Sequence, residues 1–284
     1  MSYEDEKISK YNRNRRLKQA RMQRQVRQSQ RRLNRLRVFY KVFLIFLLLG
    51  ICILSLKLPQ WYLPCNAFDC LESPALEIVN NRIVPSQKIL SALRRNQVPQ
   101  EPLFLVKTDN LKKSITQLEP IQNVYIRRFW FPARLQIIIL ERTPLVLISP
   151  NIDVPPIAFF SSDGKLIGRE YMPLEDEYDT VLVITYGSGD DYRNWDITKV
   201  TNFKKLANLV EMETGETVEY IDYRNPKDVY VKIQTTSIRL GSITSSTFNK
   251  VRKLPSLLPQ VKMINKKVKY IDLRWDTNYI KLDE

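Results

Sequence analysis

Residues 121–142 read IQNVYIRRFWFPARLQIIILER. Val124 and Ile126 alternate with Tyr125 and Arg127, Phe131-Pro132-Ala133 turns the chain, and Leu135–Leu140 continues as a second strand ending at Glu141-Arg142. The period of two predicts two consecutive strands about one turn. Just upstream, Leu111, Ile115 and Leu118 fall at i, i+4 and i+7 of a helix that Pro120 stops. Thr108 can cap it, and Asp109 is favourable near its positive end. Further back, Ser86 after Pro85 can cap a shorter helix with Ile89, Leu90 and Leu93 on one face, and Pro99 and Pro102 interrupt the chain. Leu76, Ile78 and Ile83–Val84 predict a first strand. The order is β-α-α-β-β over about 70 residues, the size of one small domain.

These residues carry a resemblance. The stretch from Leu76 to Pro144 resembles a POTRA domain of the FtsQ/DivIB family, whose late strands run P-x-V-x-x-a-x-V-x-R-x-W-P-x-x-L-x-I-x-V-x-E-R-x-P. This chain has Pro120, Val124, Ile126, Arg128, Trp130-Phe131-Pro132, Leu135, Ile137, Ile139 and Glu141-Arg142-x-Pro144. One residue is inserted between Trp130 and Pro132, and Val79-Asn80-Asn81-Arg82 lacks the usual glycine of the first turn.

Downstream, Phe159–Ile167 holds Asp163-Gly164 between apolar runs, a hairpin signal. Val181–Tyr186 reads as a buried strand. Phe203–Met212 has helical spacing, with Gly215 just past its end. Val218–Tyr223, Asp228–Gln234 and Ser237–Gly241 read as strands. Thr244–Thr247 suits a helix N-cap, and Phe248, Val251 and Leu254 share a helical face expected to break at Pro255 and Pro259. Val268–Trp275, with Tyr270-Ile271-Asp272-Leu273-Arg274-Trp275, is similar to the family's late x-I-D-L-R-Y strand, and Thr277–Leu282 is a last strand. The ordered resemblance extends over residues 39–284.

Upstream, Phe39–Leu58 is the long apolar run, broken by Lys41 and Lys57. About 20 residues cross a hydrocarbon core as a helix. The two lysines can snorkel to opposite headgroup layers, and Trp61 and Tyr62 sit where an aromatic belt belongs. Residues 1–38 carry thirteen Lys and Arg against Glu4, Asp5 and Glu6. That asymmetry keeps the tail in the cytoplasm and exports the C-terminal part. A cleaved signal peptide fits poorly, because the basic region is long and no A-x-A-like site follows.

The formal net charge of +15 sits mostly in this tail, and the exported part is about +3. Basicity is therefore no argument for a nucleic-acid-binding domain, and no nucleic acid is expected as a partner. The chain has no histidine and only seven glycines. Ser-His and Cys-His catalysis and Gly-rich phosphate loops are thereby excluded. Cys52 lies in the span. Cys65 and Cys70, just outside the membrane, either form a short-loop disulfide or remain two thiols.

The expected fold is α+β. It comprises a basic tail (1–38), a transmembrane helix (39–58), a membrane-proximal linker (59–75), a β-α-α-β-β POTRA domain (76–144) and a larger β-rich domain (145–284). The larger domain should hold a mixed or antiparallel sheet with flanking helices.

No set of residues reads as nucleophile, base and orienter together. Glu141 and Arg142 are expected as an ion pair or a solvated strand end, Asp163 as a turn former, and Asp272 with Arg274 as a pair on one strand face. Glu175-Asp176-Glu177 reads as a solvated acidic loop. No catalytic, cofactor or metal residue is assigned. The last strand differs, because a terminal strand often leaves a sheet edge whose N–H and C=O groups can pair with another chain. The resemblance implies that FtsB docks in this region. The partner-binding residues expected are Trp275, Thr277, Asn278, Tyr279, Ile280, Lys281 and Leu282.

The resemblance further implies a non-enzymatic divisome scaffold in the bacterial cytoplasmic membrane, single-pass and enriched at the septum. Besides the lipid bilayer, FtsB and FtsL are the implied partners, with contacts toward FtsW and FtsI, and the scaffold helps control septal peptidoglycan synthesis. The other reading is a membrane-anchored POTRA chaperone or transport accessory that binds extracytoplasmic peptides.

Overall fold

The computed structural model describes Met22 and residues 36–55, 57–175, 177–186, 190–264, 268–275 and 279–282. Almost all of the basic tail lies outside this set. The chain divides into two units, Met1–Tyr62 and Leu63–Glu284.

In the first unit, α1 (Leu36–Ser55) is 20 residues long and apolar enough to cross a membrane. At 1.5 Å per residue that is about 30 Å, one hydrocarbon core. The helix begins and ends earlier than the apolar run. Its end is set by Pro59, which holds Leu58 in extended backbone. The carbonyl of Ser55 is then capped twice, by the Leu58 N–H at 3.2 Å and by the Trp61 indole N–H at 2.7 Å.

The second unit opens with residues that pack. Leu63, Ala67 and Phe68 are buried in the first core, so the stretch expected as linker is structural from Leu63 onward. The Arg94 guanidinium donates to the carbonyls of Phe68 and Asp69 and fastens it there. β1 (Leu76–Val79), α2 (Ser86–Arg94), α3 (Asp109–Thr116), β2 (Ile121–Trp130) and β3 (Ala133–Glu141) follow in the expected order. The sheet order is β1-β3-β2, with β1 parallel and β2 antiparallel to β3. The apolar faces of α2 (Ile89, Leu90, Leu93) and α3 (Leu111, Ile115) close over Leu76, Ile121, Val124, Leu135, Ile137 and Ile139.

Two local expectations change here. Ile83–Val84 is not strand, because Asn80 at φ 66° turns the chain out of β1. Ser86 is the first helical residue rather than the cap, and its hydroxyl accepts from the Asn81 amide at 2.8 Å.

The larger sheet has nine strands: β4 (Pro144–Ser149), β5 (Ala158–Ser161), β6 (Leu166–Ile167), β7 (Val181–Ile184), β8 (Val218–Asp222), β9 (Val229–Ile233), β10 (Ser237–Gly241), β11 (Val268–Asp272) and β12 (Tyr279–Leu282). Their order is β12-β11-β10-β9-β8-β7-β4-β5-β6, mixed in direction. One apolar row runs through paired positions across eight strands: Ile280, Ile271, Ile238, Val231, Ile221, Val183, Ile148 and Ala158. Seven of these residues are buried, with Ile280 half-buried at the end. Burial of such a row stabilises by roughly 25 cal/mol per Å² of apolar surface.

α4 (Ile197–Thr214) packs on β4, β7 and β8, and α5 (Ser245–Val251) and α6 (Leu254–Met263) pack on α4. Asp196 caps α4 by accepting from the Lys199 N–H at 2.9 Å, and Gly215 ends it at φ 70°. Thr244 and Thr247 form a reciprocal cap at the start of α5. α6 runs through both prolines expected to break it. Pro255 sits in the first turn, where no N–H is needed, and Pro259 only leaves the carbonyl four residues back unbonded. The far end of the sheet turns its other face to the first core, which Phe159, Ile167 and Tyr171 complete.

Candidate partner-binding edge

β12 is the last strand of the nine-stranded order, held on one side by antiparallel pairing to β11. Alternation along it divides its roles. Ile280 packs against the core, Ile280 and Leu282 are half-buried, and Tyr279 and Lys281 are exposed. The strand is thus anchored by Ile280, presents two long side chains, and among the described residues has no strand paired to its other edge. Trp275, just before it, is 61% exposed, with the Arg274 guanidinium 5.9 Å from its ring. Thr277 and Asn278 lie outside the described residues.

A second row supports the edge from the opposite face of the sheet. Tyr279 lies opposite Asp272, Asp272 beside Arg239, Arg239 opposite Tyr230, and Tyr230 opposite Asp222. Arg239 grips Asp228 with two bonds, Nε to Oδ1 at 2.7 Å and Nη2 to Oδ2 at 2.5 Å. Arg274 does the same to Asp272, with its Nε 3.0 Å from Oδ1 and its Nη2 2.8 Å from Oδ2. Arg239 joins the two pairs, its Nη1 lying 3.8 Å from Asp272. Its guanidinium also lies 5.4 Å from the rings of both Tyr230 and Tyr270. The Arg239 hydrogen bonds hold the Asp228 carboxyl below the usual carboxylate range. Burial alone would raise the Asp272 carboxyl, but the side chain and backbone of Arg274 outweigh it and lower it. Both carboxylates are therefore saturated by arginine and structural, consistent with the i, i+2 pairing of Asp272 and Arg274.

Glu141 and Asp163, also singled out from sequence, are occupied as well, and Asp176 of the acidic loop lies outside the described residues. Glu141 and Arg142 do not pair with each other. The Glu141 carboxylate accepts three backbone N–H bonds, from Arg82 and Ile83 at 2.9 Å and from Val84 at 2.8 Å. These amides have no ladder partner after the turn at Asn80, which is why the carboxylate is needed there. Arg142 pairs with Asp163 at the β5–β6 turn and donates to the Glu119 carbonyl at 3.0 Å. Gly164 beside it has φ 81° and lies against Ile197, where an added Cβ would sit 2.9 Å from that side chain.

One cluster had no sequence signal. The Asp190 carboxylate accepts from the indole N–H of Trp195 at 3.0 Å, the hydroxyl of Tyr223 at 2.8 Å and the ammonium of Lys199. Burial works to raise its pKa, and the bonds from Lys199 and Tyr223 bring it below the ordinary value. The four residues come from a loop, a helix and a strand end, so no spacing in the chain reveals them. Cys65 and Cys70 are exposed thiols. Among the described residues, no group of three or more His, Cys, Asp or Glu side chains is placed to hold a metal ion.

The first domain can be compared with known families. Residues 74–142 match the model of the POTRA domain, FtsQ-type. Residues 74–142 are an FtsQ-type POTRA domain. The matched stretch contains β1, α2, α3, β2 and β3 and ends at Arg142, one residue past the Glu141 anchor. It supports membership of the FtsQ/DivIB family. Among curated proteins nothing matches the chain. In this POTRA domain the Glu-Arg pair at the end of β3 has a concrete role: Glu141 closes the β1 turn, and Arg142 ties the domain to the β5–β6 hairpin.

Proposed function

We propose that the chain is a non-enzymatic scaffold of the bacterial divisome that links membrane-anchored division proteins and helps control septal wall synthesis. The observation that carries this reading is an FtsQ-type POTRA domain on a chain with one membrane-crossing helix and a sheet ending in an open strand. Its mechanism is binding. A strand of a partner such as FtsB adds to β12 through backbone hydrogen bonds, and Tyr279, Lys281 and Trp275 select it by their side chains. FtsL, with contacts toward FtsW and FtsI, completes the expected assembly. The anchor keeps the tail cytoplasmic and both folded regions outside.

The test is photocrosslinking from position 279 of the full-length protein in growing cells, followed by identification of the captured chain. Capture of a small bitopic division protein at midcell supports the reading. Capture of unfolded secreted chains, with uniform membrane staining, overturns it in favour of a transport accessory.

A further inference from the structure

Helices α2 and α3 cover one face of the POTRA sheet, where Val124, Leu135, Ile137 and Ile139 are buried. On the other face the period of two should bring polar residues. Arg134 and Gln136 obey it. The next two outward positions of β3 are Ile138 and Leu140, opposite Tyr125 and Asn123 of β2. Val79 of β1 completes the Ile138–Tyr125 row from the other side. Leu140 is 45% exposed. Tyr125 has contacts of its own, with the Asn123 amide 3.3 Å from its hydroxyl and the Lys112 ammonium 5.8 Å from its ring, yet it stays 54% exposed. Neither these two nor Val79 and Ile138 belong to either hydrophobic core. An apolar row outside both cores marks a face that another surface covers.

The neighbouring row says which surface. Glu77, Gln136 and Arg127 lie side by side on β1, β3 and β2, on this same face. The Gln136 amide donates to the Glu77 carboxylate at 3.0 Å. An exposed acid stands at one edge of the sheet, an exposed cation at the other, and a neutral amide between them. Such a row is complementary to itself. A second copy laid face to face, about a two-fold axis running along β3, sets each Arg127 over the Glu77 of the other copy. The same axis sets Ile138 on Ile138, Leu140 on Leu140 and Val79 on Tyr125, with the strands nearly aligned as in a sandwich. A two-fold axis across the strands would instead oppose acid to acid and cation to cation. The chosen axis also brings the two Arg134 residues to the centre line. Each guanidinium lies 4.3 Å from the ring of its own Phe129 on β2, so the two are drawn toward opposite edges.

We propose that this outer face of the POTRA sheet joins two copies of the chain in an isologous dimer, with Ile138 and Leu140 at its centre and two Glu77–Arg127 pairs at its margins. The footprint is roughly 300 Å² per copy, three strands about 4.8 Å apart by six residues of about 3.4 Å. A stable soluble complex uses about 800 Å² per partner. The dimer therefore belongs to copies gathered in one bilayer by α1, where tethering raises the effective concentration. It rests on no role in division, and its test contains no division protein.

Full-length protein with a donor or an acceptor fluorophore at its C-terminus is reconstituted together in phosphatidylcholine vesicles, and energy transfer is followed against protein density. Glu77→Arg and Arg127→Glu should each weaken association roughly tenfold, the weight of two exposed ion pairs turned to repulsion. Mixing the two variants should restore it, because a chain with arginine at both positions then faces one with glutamate at both. Adding Ile138→Asp to both chains of the mixture should abolish that repair, and circular dichroism confirms that each variant folds. Four outcomes overturn the proposal: energy transfer no greater than that of unassociated chains, transfer that the reversals leave unchanged, a mixture that repairs nothing, or a repair that survives Ile138→Asp. The last would assign the attraction to net charge rather than to this face.

Discussion

Phe159 and Phe160 are consecutive in β5 and point into different cores. Phe159 is buried with Val84, Leu90 and Ile139 of the POTRA side, and Phe160 is buried with Trp195, Val200 and Phe203 under α4. The Phe160 ring is stacked on Trp195 with centroids 5.9 Å apart. A strand places neighbours on opposite faces, so one short strand is shared between the two hydrophobic cores.

Truncating these two rings should therefore loosen different regions. Phe159→Ala and Phe160→Ala are each expected to cost about 3–5 kcal/mol. Native-state hydrogen exchange separates them: Phe159→Ala raises exchange first in α2 and β3, Phe160→Ala first in α4. Identical exchange patterns would show that the two cores open as one.

Glu141→Gln should destabilise without touching the partner edge. An amide keeps one acceptor and places its own N–H group against backbone donors, so about 1–3 kcal/mol is lost. A lower melting temperature, with unchanged partner affinity for the protein that remains folded, is the expected result. A loss of function at unchanged melting temperature and unchanged complex formation would instead indicate chemistry at this carboxylate.

Acid should weaken the second unit in a defined window. The carboxyls of Asp190, Asp228 and Asp272 are all lowered in the folded protein. A depressed carboxyl contributes stability that is full above its unfolded pKa, about 4, and is lost as pH falls from there through the lower folded value. Melting temperature should hold between pH 7 and about 5 and then fall steadily. Asp272→Asn should flatten part of this fall, and Arg239→Met, which takes both hydrogen bonds from the Asp228 carboxylate, should cost about 3–5 kcal/mol at neutral pH.

The open edge can be tested by backbone chemistry. Ile280→Pro removes a donor and bends β12, and should weaken the complex by several kcal/mol, on the order of a backbone pair plus lost packing. Tyr279→Ala should cost about 1–3 kcal/mol of binding. Isothermal titration against the partner's extracytoplasmic segment, with circular dichroism of the variants, measures both. Unchanged affinity with the proline in place would move the docking surface elsewhere.

Much of this architecture could be read from local patterns. β2 and β3 were legible because each keeps one face wet, which leaves a period of two in the sequence. Gly215 and Thr244 were legible because helix ends need particular residues. The misreadings have a common cause in distant partners. Ile83–Val84 looks like strand, yet its amides are satisfied by a carboxylate 58 and 57 residues away. β4 was not anticipated, since Leu145–Ile148 is apolar throughout and faces a core on both sides, which erases alternation. The prolines of α6 read as breaks because a missing N–H is visible in sequence, whereas the packing of Leu254, Leu257, Leu258 and Val261 that outweighs it is not. The position of β12 at the chain end hinted at an edge, but the charged row behind it depends on the register of five strands.

The parallel pairing of β1 with β3 also has a mechanical meaning. β1 receives the chain at Ala75, beside Leu135, and runs from there along its partner over Leu76–Val79. A pull that passes the packed Leu63–Phe68 segment and reaches the N-terminal end of this strand acts along the strand's own axis. Its ladder is loaded in shear, so the cross-strand bonds share the force and must fail together rather than peel from one end. In the scaffold proposed above, the first strand of the POTRA sheet would carry such a load in shear.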